Sequence, residues 1–409
     1  MDLRTWRRDK GGETAGRLSL SGKGLFSLSR FCNLPVTRRQ ETVSGIQRRI
    51  WRMSDASNWV DVRQAVSLGA RERQVKLKWI AAVLTAVMAG AAGAQNINAA
   101  GATFPYPIYN RWFTEYAQAH PNVHINYQSI GSGGGIKQVS EGTVDFGASD
   151  GPMNDQQLAD AKVKVMHIPT VLGSDVPVYN LPGLNKSLNF TGDEIADIYL
   201  GKITKWNDPR LVKENPGANL PDKAILPVYR SDGSGTTYIF TDYLSKVSPE
   251  WMNKVGKGTS VKWQSGIGQK GNEGVAGMVR QTPGAFGYVE LVYALQNKME
   301  YGSVKNLTGN YVKATTDSVT AAAAGAAKTM PADYRVSITN APGATAYPIS
   351  SFTWLLIPKQ FADPAKGAAV KGFLEWMLEH GESEASGMGY APLPEQVQAM
   401  VKKTIATVR

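Results

Sequence analysis

The sequence YRSDGSGTT at residues 229–237 follows the apolar run ILPV at 225–228 and precedes YIFTDYL at 238–244. The apolar residues of the last segment recur at helical spacing, so the three pieces predict a strand end, a Gly/Ser turn and the start of a helix. Backbone N–H groups at a helix start have no partner within the helix and can bind an anion. The stretch therefore predicts an anion site at this turn.

The residue types in the turn suit a tetrahedral oxyanion. Gly233 and Gly235 let the backbone approach a ligand closely, Ser234 and Thr236 add hydroxyl donors, and Arg230 carries a fixed fork of N–H donors. Ser and Thr at a helix start are also ordinary caps. The turn by itself therefore leaves two interpretations open, an anion site and a capped helix.

A second turn of this kind opens the body of the chain. The sequence GATFPYP at 101–107 leads into a helix predicted at 107–119, whose first turn suits Pro107. The Thr103 hydroxyl and the Phe104 N–H lie just ahead of that helix. They form either a second anion site or a helix cap.

A third turn, GSGGG at 131–135, follows a strand predicted at 123–127. It fits neither common nucleotide motif, because Lys137 is not followed by Ser or Thr and Ile136 occupies the third glycine position. The sequence GIGQKG at 266–271 matches the dinucleotide pattern weakly, since no acidic residue about 20 positions later is expected to end a strand.

The sequence VDFGASD at 144–150 predicts a strand that ends at Asp150. Ligands bind at the carboxyl ends of strands in open α/β sheets. Asp150 is therefore either a ligand contact or the cap of the next helix, predicted at 155–162.

Strands alternate with helices along the rest of the body, which indicates an α/β fold. Further strands are predicted at 163–168, 176–180 and 347–357, and further helices at 234–246, 248–255, 315–328, 364–380 and 394–406. The body is long enough for two lobes, each with its own core.

The net charge of +11 lies almost entirely in the N-terminal part of the chain. Residues 1–94 carry +10 and residues 95–409 carry +1, so the body predicts no nucleic-acid partner. The single cysteine, Cys32, also precedes the body, which excludes thiol catalysis and cysteine-ligated zinc there and suits an oxidising compartment.

Residues 75–94 have a charged start, a short apolar run and an Ala-x-Ala site, the pattern of a secretory signal peptide cleaved before Gln95. An uncleaved anchor is the alternative. Residues 1–74 are rich in Arg without sustained apolar periodicity, and we interpret them as an over-extended start or a disordered basic extension, with initiation nearer Met53 or Val75.

An enzyme is the competing class of function. A phosphatase needs a nucleophile with a nearby base, or metal ligands. The four histidines, His120, His124, His167 and His380, show no metal-binding spacing, and we interpret them as surface or packing residues. The sequence therefore predicts no metal, no cofactor and no catalytic residue.

Together these segments resemble the periplasmic phosphate-binding protein of the phosphate ABC importer, the PstS family. The resemblance covers 97–409 and is carried by AGATFP (100–105), NYQSIGS (126–132), VDFGASD (144–150), IYLGKI (198–203), RSDGSGT (230–236), KGN (270–272) and PGAFGYVE (283–290). It implies a two-lobed α/β periplasmic-binding-protein fold with hinge strands and a ligand cleft between the lobes. Lobe I is expected at 95–172 and 345–409, and lobe II at 173–344.

The resemblance also implies the ligand, the partners and the site. The ligand is inorganic phosphate, and the partners are an inner-membrane ABC permease and its ATPase; a sulfate or molybdate binder is the nearer rival. Donors to phosphate are expected from both lobes: Thr103, Phe104, Ser132, Arg230, Ser234, Gly235 and Thr236. Asp150 is expected to be the one acceptor, and Asp232 to pair with Arg230.

Overall fold

The computed structural model describes residues 94–409 of the chain, so the predicted signal peptide and basic extension lie outside the described residues. The strands are β1 (Gln95–Gly101), β2 (Val123–Ser129), β3 (Phe146–Ser149), β4 (Val165–Tyr179), β5 (Asn189–Phe190), β6 (Leu226–Arg230), β7 (Ile267–Gln269), β8 (Ala285–Glu290), β9 (Glu300–Tyr301), β10 (Ser303–Lys305), β11 (Tyr311–Val312) and β12 (Ser350–Pro358).

The helices of the first half are α1 (Tyr106–Ala119), α2 (Ser132–Glu141), α3 (Asp155–Asp160), α4 (Gly192–Tyr199), α5 (Pro209–Glu214), α6 (Gly235–Val247) and α7 (Pro249–Lys254). Those of the second half are α8 (Gly271–Gln281), α9 (Leu291–Gln296), α10 (Thr316–Lys328), α11 (Pro364–Trp376), α12 (Glu382–Ala385) and α13 (Glu395–Ile405). No helix within 94–409 is long and apolar enough to cross a membrane.

The main sheet has nine strands in the order β2-β1-β3-β12-β4-β8-β6-β7, with β9 also paired to β4. Two sets of parallel strands, β1 to β3 and β6 to β8, flank the antiparallel pair β12 and β4. A small sheet holds β11, β10 and β5. The predicted α/β fold class is therefore confirmed.

Strand β4 connects the two halves of the main sheet. It pairs with β12 as far as Ser174 and with β8 from Asp175 onward. Because the first parallel set runs in the direction of β4 and the second runs against it, the carboxyl ends of both sets meet near this change of partner. Ligand-binding turns follow the carboxyl ends of parallel strands, so the fold brings two groups of turns together.

The prediction of two separate strands at 163–168 and 176–180 is wrong, because β4 is continuous over fifteen residues. The intervening residues include Pro169, Gly173 and Ser174, which are typical of a link, yet all are buried. Pro169 cannot donate to a ladder hydrogen bond. The β12 ladder accommodates it with a register shift at Thr353 and Trp354, opposite this residue.

The expectation that no acidic residue ends a strand after the turn at 266–271 is also wrong. Glu290 is the last residue of β8, so an acidic residue does end a strand there. Its carboxylate accepts a hydrogen bond of 2.7 Å from the Val292 N–H and caps α9. The turn at 266–271 contacts the turn that follows Arg230: the Gly271 N–H donates to the Asp232 carboxylate at 3.1 Å.

The helix predicted at 364–380 ends earlier, at Trp376, and continues as a π-helical turn over Met377–Gly381. The Gly381 carbonyl accepts a hydrogen bond of 3.1 Å from the buried Trp112 indole of α1. This contact ties the C-terminal helices to α1, which begins just after the turn at Thr103.

Candidate functional site

The start of α6 presents free backbone donors. Ser234 is its N-cap: the Ser234 side chain accepts from the Thr237 N–H at 3.0 Å, and its carbonyl accepts from Tyr238 at 3.1 Å. The N–H groups of Gly235 and Thr236 donate to no residue in the part of the chain that the structure describes. Ser234 is therefore a cap, and its cap leaves two donors aimed out of the helix end.

Arg230, at the end of β6, is 3% exposed and is held by Asp232. Its Nε lies 2.8 Å and its Nη2 2.5 Å from the two Asp232 oxygens, and its Nη1 donates to the Thr236 hydroxyl at 3.1 Å. Burial opposes ionisation of Asp232, but the hydrogen bonds from Arg230 outweigh it and lower the pKa of Asp232. The pair is thus fully charged and locally neutral.

Asp150 follows β3 and is fully buried. It accepts from the Thr353 hydroxyl at 2.7 Å and from the Ser132 hydroxyl at 3.3 Å, while its own N–H donates to Ser132 at 3.2 Å. The alternative that Asp150 caps the next helix is wrong: the cap of α3 is Asn154, which accepts from the Gln157 N–H at 2.8 Å.

The surroundings of Asp150 make its ionisation costly. Burial raises the pKa of Asp150 to about 7, although the Thr353 hydrogen bond and the charge of Arg230 act in the other direction. Near neutral pH this carboxyl is therefore close to the midpoint of its titration. A ligand that carries a proton can share it with such a group.

We expect the free energy of unfolding of the ligand-free protein to contain a term from Asp150 that is lost as pH rises. Because its folded pKa of about 7 exceeds the ordinary value of 3.8, that stability is fully present below about pH 4 and disappears as pH passes 7. Between about pH 4 and pH 7, the free energy of unfolding of Asp150→Asn should rise by roughly 3–4 kcal/mol relative to that of the wild type. Chemical denaturation in phosphate-free buffer measures both values. If the free energy of unfolding depends on pH in the same way in both proteins, the raised pKa of Asp150 is wrong.

The turn ahead of α1 is held by groups from distant parts of the chain. The Thr103 hydroxyl accepts from the Asn272 amide at 2.8 Å, and the carbonyls of Thr103 and Phe104 accept from Tyr293 and Tyr390 at 2.6 and 2.7 Å. The cap of α1 is Pro105, without a side-chain hydrogen bond, so the alternative that Thr103 caps this helix is wrong. The Phe104 N–H donates to no described residue.

The structure brings the predicted site residues together. The Gly133 N–H donates to the Gly233 carbonyl at 2.9 Å, which joins the turn before α2 to the turn before α6. A Cβ built on Gly235 would lie 2.6 Å from the Asp150 Cβ and closer still to the Ser132 Oγ. The roles assigned to these residues as phosphate ligands remain predictions.

Two further residues hydrogen-bond to the predicted site residues but were not predicted from the sequence. Asn272 donates to both Thr103, at 2.8 Å, and Thr236, at 3.1 Å, and so connects the two groups of turns. Thr353 holds Asp150 from β12. The glycine-rich turn at 266–271 was a usable signal for Asn272, whereas Thr353 lies in an apolar strand without any motif.

The histidines and the acidic residues do not form a metal centre in the described region. Within 94–409, no group of three or more His, Cys, Asp or Glu side chains is placed to hold a metal ion. His167 is 3% exposed and accepts from the Met153 N–H at 3.0 Å, and burial lowers its pKa to about 4. It is a packing residue, as expected.

The sequence of this chain is similar to that of a known protein family. A sequence model of the PBP superfamily domain matches residues 86–380. The phosphate-binding protein PstS of Xylella fastidiosa (strain Temecula1) is 47% identical over 307 residues, which cover 75% of this chain and 84% of that protein. The PstS of Pasteurella multocida is 46% identical over 323 residues, covering 79% and 93%.

A solved structure shows the same fold. The crystal structure of the phosphate-binding protein from Stenotrophomonas maltophilia superposes with a TM-score of 0.58 at 20% identity and covers 76% of this chain and 94% of that one. At this identity the similarity concerns the fold alone. It confirms the predicted α/β periplasmic-binding-protein fold, while the two lobes and their boundaries remain a prediction.

Proposed function

Since the chain belongs to the PstS family of phosphate-binding proteins, we propose that it binds inorganic phosphate at the network around Asp150 and Arg230. The observation that carries this proposal is the convergence of two helix starts, α2 and α6, on one buried carboxyl, with an arginine already paired to Asp232. The proposed ligands are Thr103, Phe104, Ser132, Asp150, Arg230, Ser234, Gly235 and Thr236.

The site suits a small dianion because its donors are mostly neutral. An enclosed anion must exchange its water for hydrogen bonds, or the cost of desolvation prevents binding. Backbone N–H groups and hydroxyls provide these bonds without adding charge that would have to be buried in the absence of ligand. Each hydrogen bond to a charged group contributes roughly 1.5–3 kcal/mol, so a few of them reach micromolar binding, about −8 kcal/mol.

We further propose that binding closes two lobes that meet where β4 changes partner at Ser174 and Asp175. The ligands named above follow strands on both sides of this point, and contacts to both halves stabilise the closed form. The closed form would then be recognised by an ABC permease in the inner membrane, with the protein exported to the periplasm by the segment at 75–94.

Titration calorimetry with phosphate, arsenate and sulfate tests the proposal. We expect phosphate and arsenate to bind at micromolar concentration or below, and sulfate to bind at least about a thousandfold more weakly. Small-angle scattering should show compaction when phosphate is added. Turnover of a chromogenic phosphate ester above the buffer rate, or binding of sulfate as tight as that of phosphate, would overturn it.

A further inference from the structure

A second buried carboxyl lies where β4 changes partner. Asp175 is fully buried, and neither of its carboxylate oxygens has a hydrogen-bond partner in the described part of the chain. Its backbone is fully used: the N–H donates to the Ile349 carbonyl and the carbonyl accepts from the Tyr347 hydroxyl, both at 2.9 Å. An ionised Asp175 would therefore be a buried charge without a donor, which is costly.

Glu290 lies directly opposite Asp175 in the ladder between β4 and β8. Residues opposite each other in an antiparallel pair point to the same face, so the two carboxyls are neighbours. One Glu290 oxygen accepts from Val292, and the other, Oε1, has no partner among the described residues. A Cβ built on Gly173 would lie 3.1 Å from Oε1 and 2.6 Å from the Phe104 ring, so Glu290 lies immediately behind the turn at Thr103.

The Asp175–Glu290 pair is connected to the proposed phosphate site. The Glu290 N–H donates to the Asn272 Oδ1 at 3.0 Å. The Asn272 Nδ2 in turn donates to the hydroxyls of Thr103 and Thr236. The titratable and charged groups that face the pair are Asp150, Arg230, Tyr288, Tyr293, Tyr347 and Tyr390. Arg230 is the one cation of this set, and Asp232 already neutralises it.

These surroundings favour the protonated form of both carboxyls. Burial raises the pKa of Asp175 well above its ordinary value, and the nearby carboxyls of Asp150 and Glu290 raise it further. Burial likewise raises the pKa of Glu290, with Asp150 adding to the effect. A dianion bound next to this cluster adds negative charge and must favour the protonated carboxyls still more.

On the basis of the proposed function, we propose that Asp175 and Glu290 take up a proton when phosphate binds, and that this uptake makes phosphate affinity fall as pH rises. Coupling between two ligands is reciprocal, so a proton that binds more tightly with phosphate present also tightens phosphate binding. The gain in affinity is fully present below the pKa of the free protein and is lost as pH rises through the pKa of the complex.

Titration calorimetry in pairs of phosphate-free buffers that differ in ionisation enthalpy measures the protons exchanged on binding. We compare the wild type with Asp175→Asn and Glu290→Gln, and use the exposed Asp317→Asn as the matched control. Phosphate and Asp150 ionise in all four proteins, so the differences report the pair alone.

The neutral amide introduced by Asp175→Asn mimics the protonated acid. We expect this variant to take up fewer protons than the wild type, by up to about one, and to bind phosphate about tenfold more tightly at about pH 8.5, with a smaller gain at about pH 6. Glu290→Gln should likewise lower the proton uptake and raise the phosphate affinity, and Asp317→Asn should change neither. Thermal unfolding of each variant checks that the fold is retained.

The two proposals fail differently in this experiment. If the wild type does not bind phosphate at any pH, the proposed function is wrong. If the wild type binds phosphate but Asp175→Asn and Glu290→Gln match it in proton uptake and in pH dependence, the proton-linked role of the pair is wrong and the phosphate site stands.

Discussion

Gly235→Ala is expected to reduce phosphate affinity by at least about a hundredfold while leaving the fold intact. Gly235 is the first residue of α6, where alanine is a better helix former than glycine by about 1 kcal/mol. The added Cβ would nevertheless lie 2.6 Å from the Asp150 Cβ and overlap the Ser132 hydroxyl. Groups packed this closely cannot relax without moving the two turns apart, so the closed site would be lost.

Calorimetry with phosphate measures this loss, and thermal unfolding without ligand verifies the fold. Gly325→Ala is the matched control, because Gly325 lies in the last turn of α10 and a Cβ there would meet no atom within 4 Å. The control should bind like the wild type. Affinity of Gly235→Ala within threefold of the wild type, by contrast, would show that the two turns need not touch in the bound state.

Asp150→Asn is expected to remove most of the preference for phosphate over sulfate. An ionised carboxylate only accepts hydrogen bonds, so it can bind a phosphate that still carries a proton but repels sulfate, which carries none. Asparagine can donate to either anion. We expect the ratio of the sulfate to the phosphate dissociation constant to fall by at least about a hundredfold in the variant at about pH 8.5.

The wild type itself provides a second check through pH. Because burial raises the pKa of Asp150 to about 7, this group is protonated at lower pH and could then donate to sulfate. The discrimination should therefore weaken on acidification more steeply in the wild type than in Asp150→Asn, where only the ionisation of phosphate itself contributes. Asp160→Asn, at an exposed position on α3, is the control. An unchanged ratio in Asp150→Asn would assign the selectivity to other groups.

Local sequence patterns predicted much of this structure. Helix α6 and its Ser234 cap, the strand before Asp150 and the alternation of strands and helices follow from spacing, glycines and capping residues. These signals act over a few residues, where the chain's own geometry decides the outcome. The resemblance to phosphate-binding proteins added the choice of anion and the lobed architecture.

The errors occurred where distant segments decide the local structure. Two strands were expected at 163–168 and 176–180, but β12 and β8 pair with the segment between them and make it part of one buried strand. Asp150 was expected to be either a helix cap or a ligand contact. The Asn154 cap excludes the first alternative, and the role of Asp150 as a ligand remains a prediction.

The sequence by itself determined that this chain carries three helix starts whose residue types suit an oxyanion, because the first backbone N–H groups of a helix have no partner within the helix. Tertiary structure alone decided that the turns before α2 and α6 meet on one buried carboxyl, and that Asn272 links the third turn, at Thr103, to Thr236. It also decided that Asp175 and Glu290 lie as a pair behind the Thr103 turn. Burial and strand register depend on contacts between segments far apart in the chain, and no local pattern encodes them.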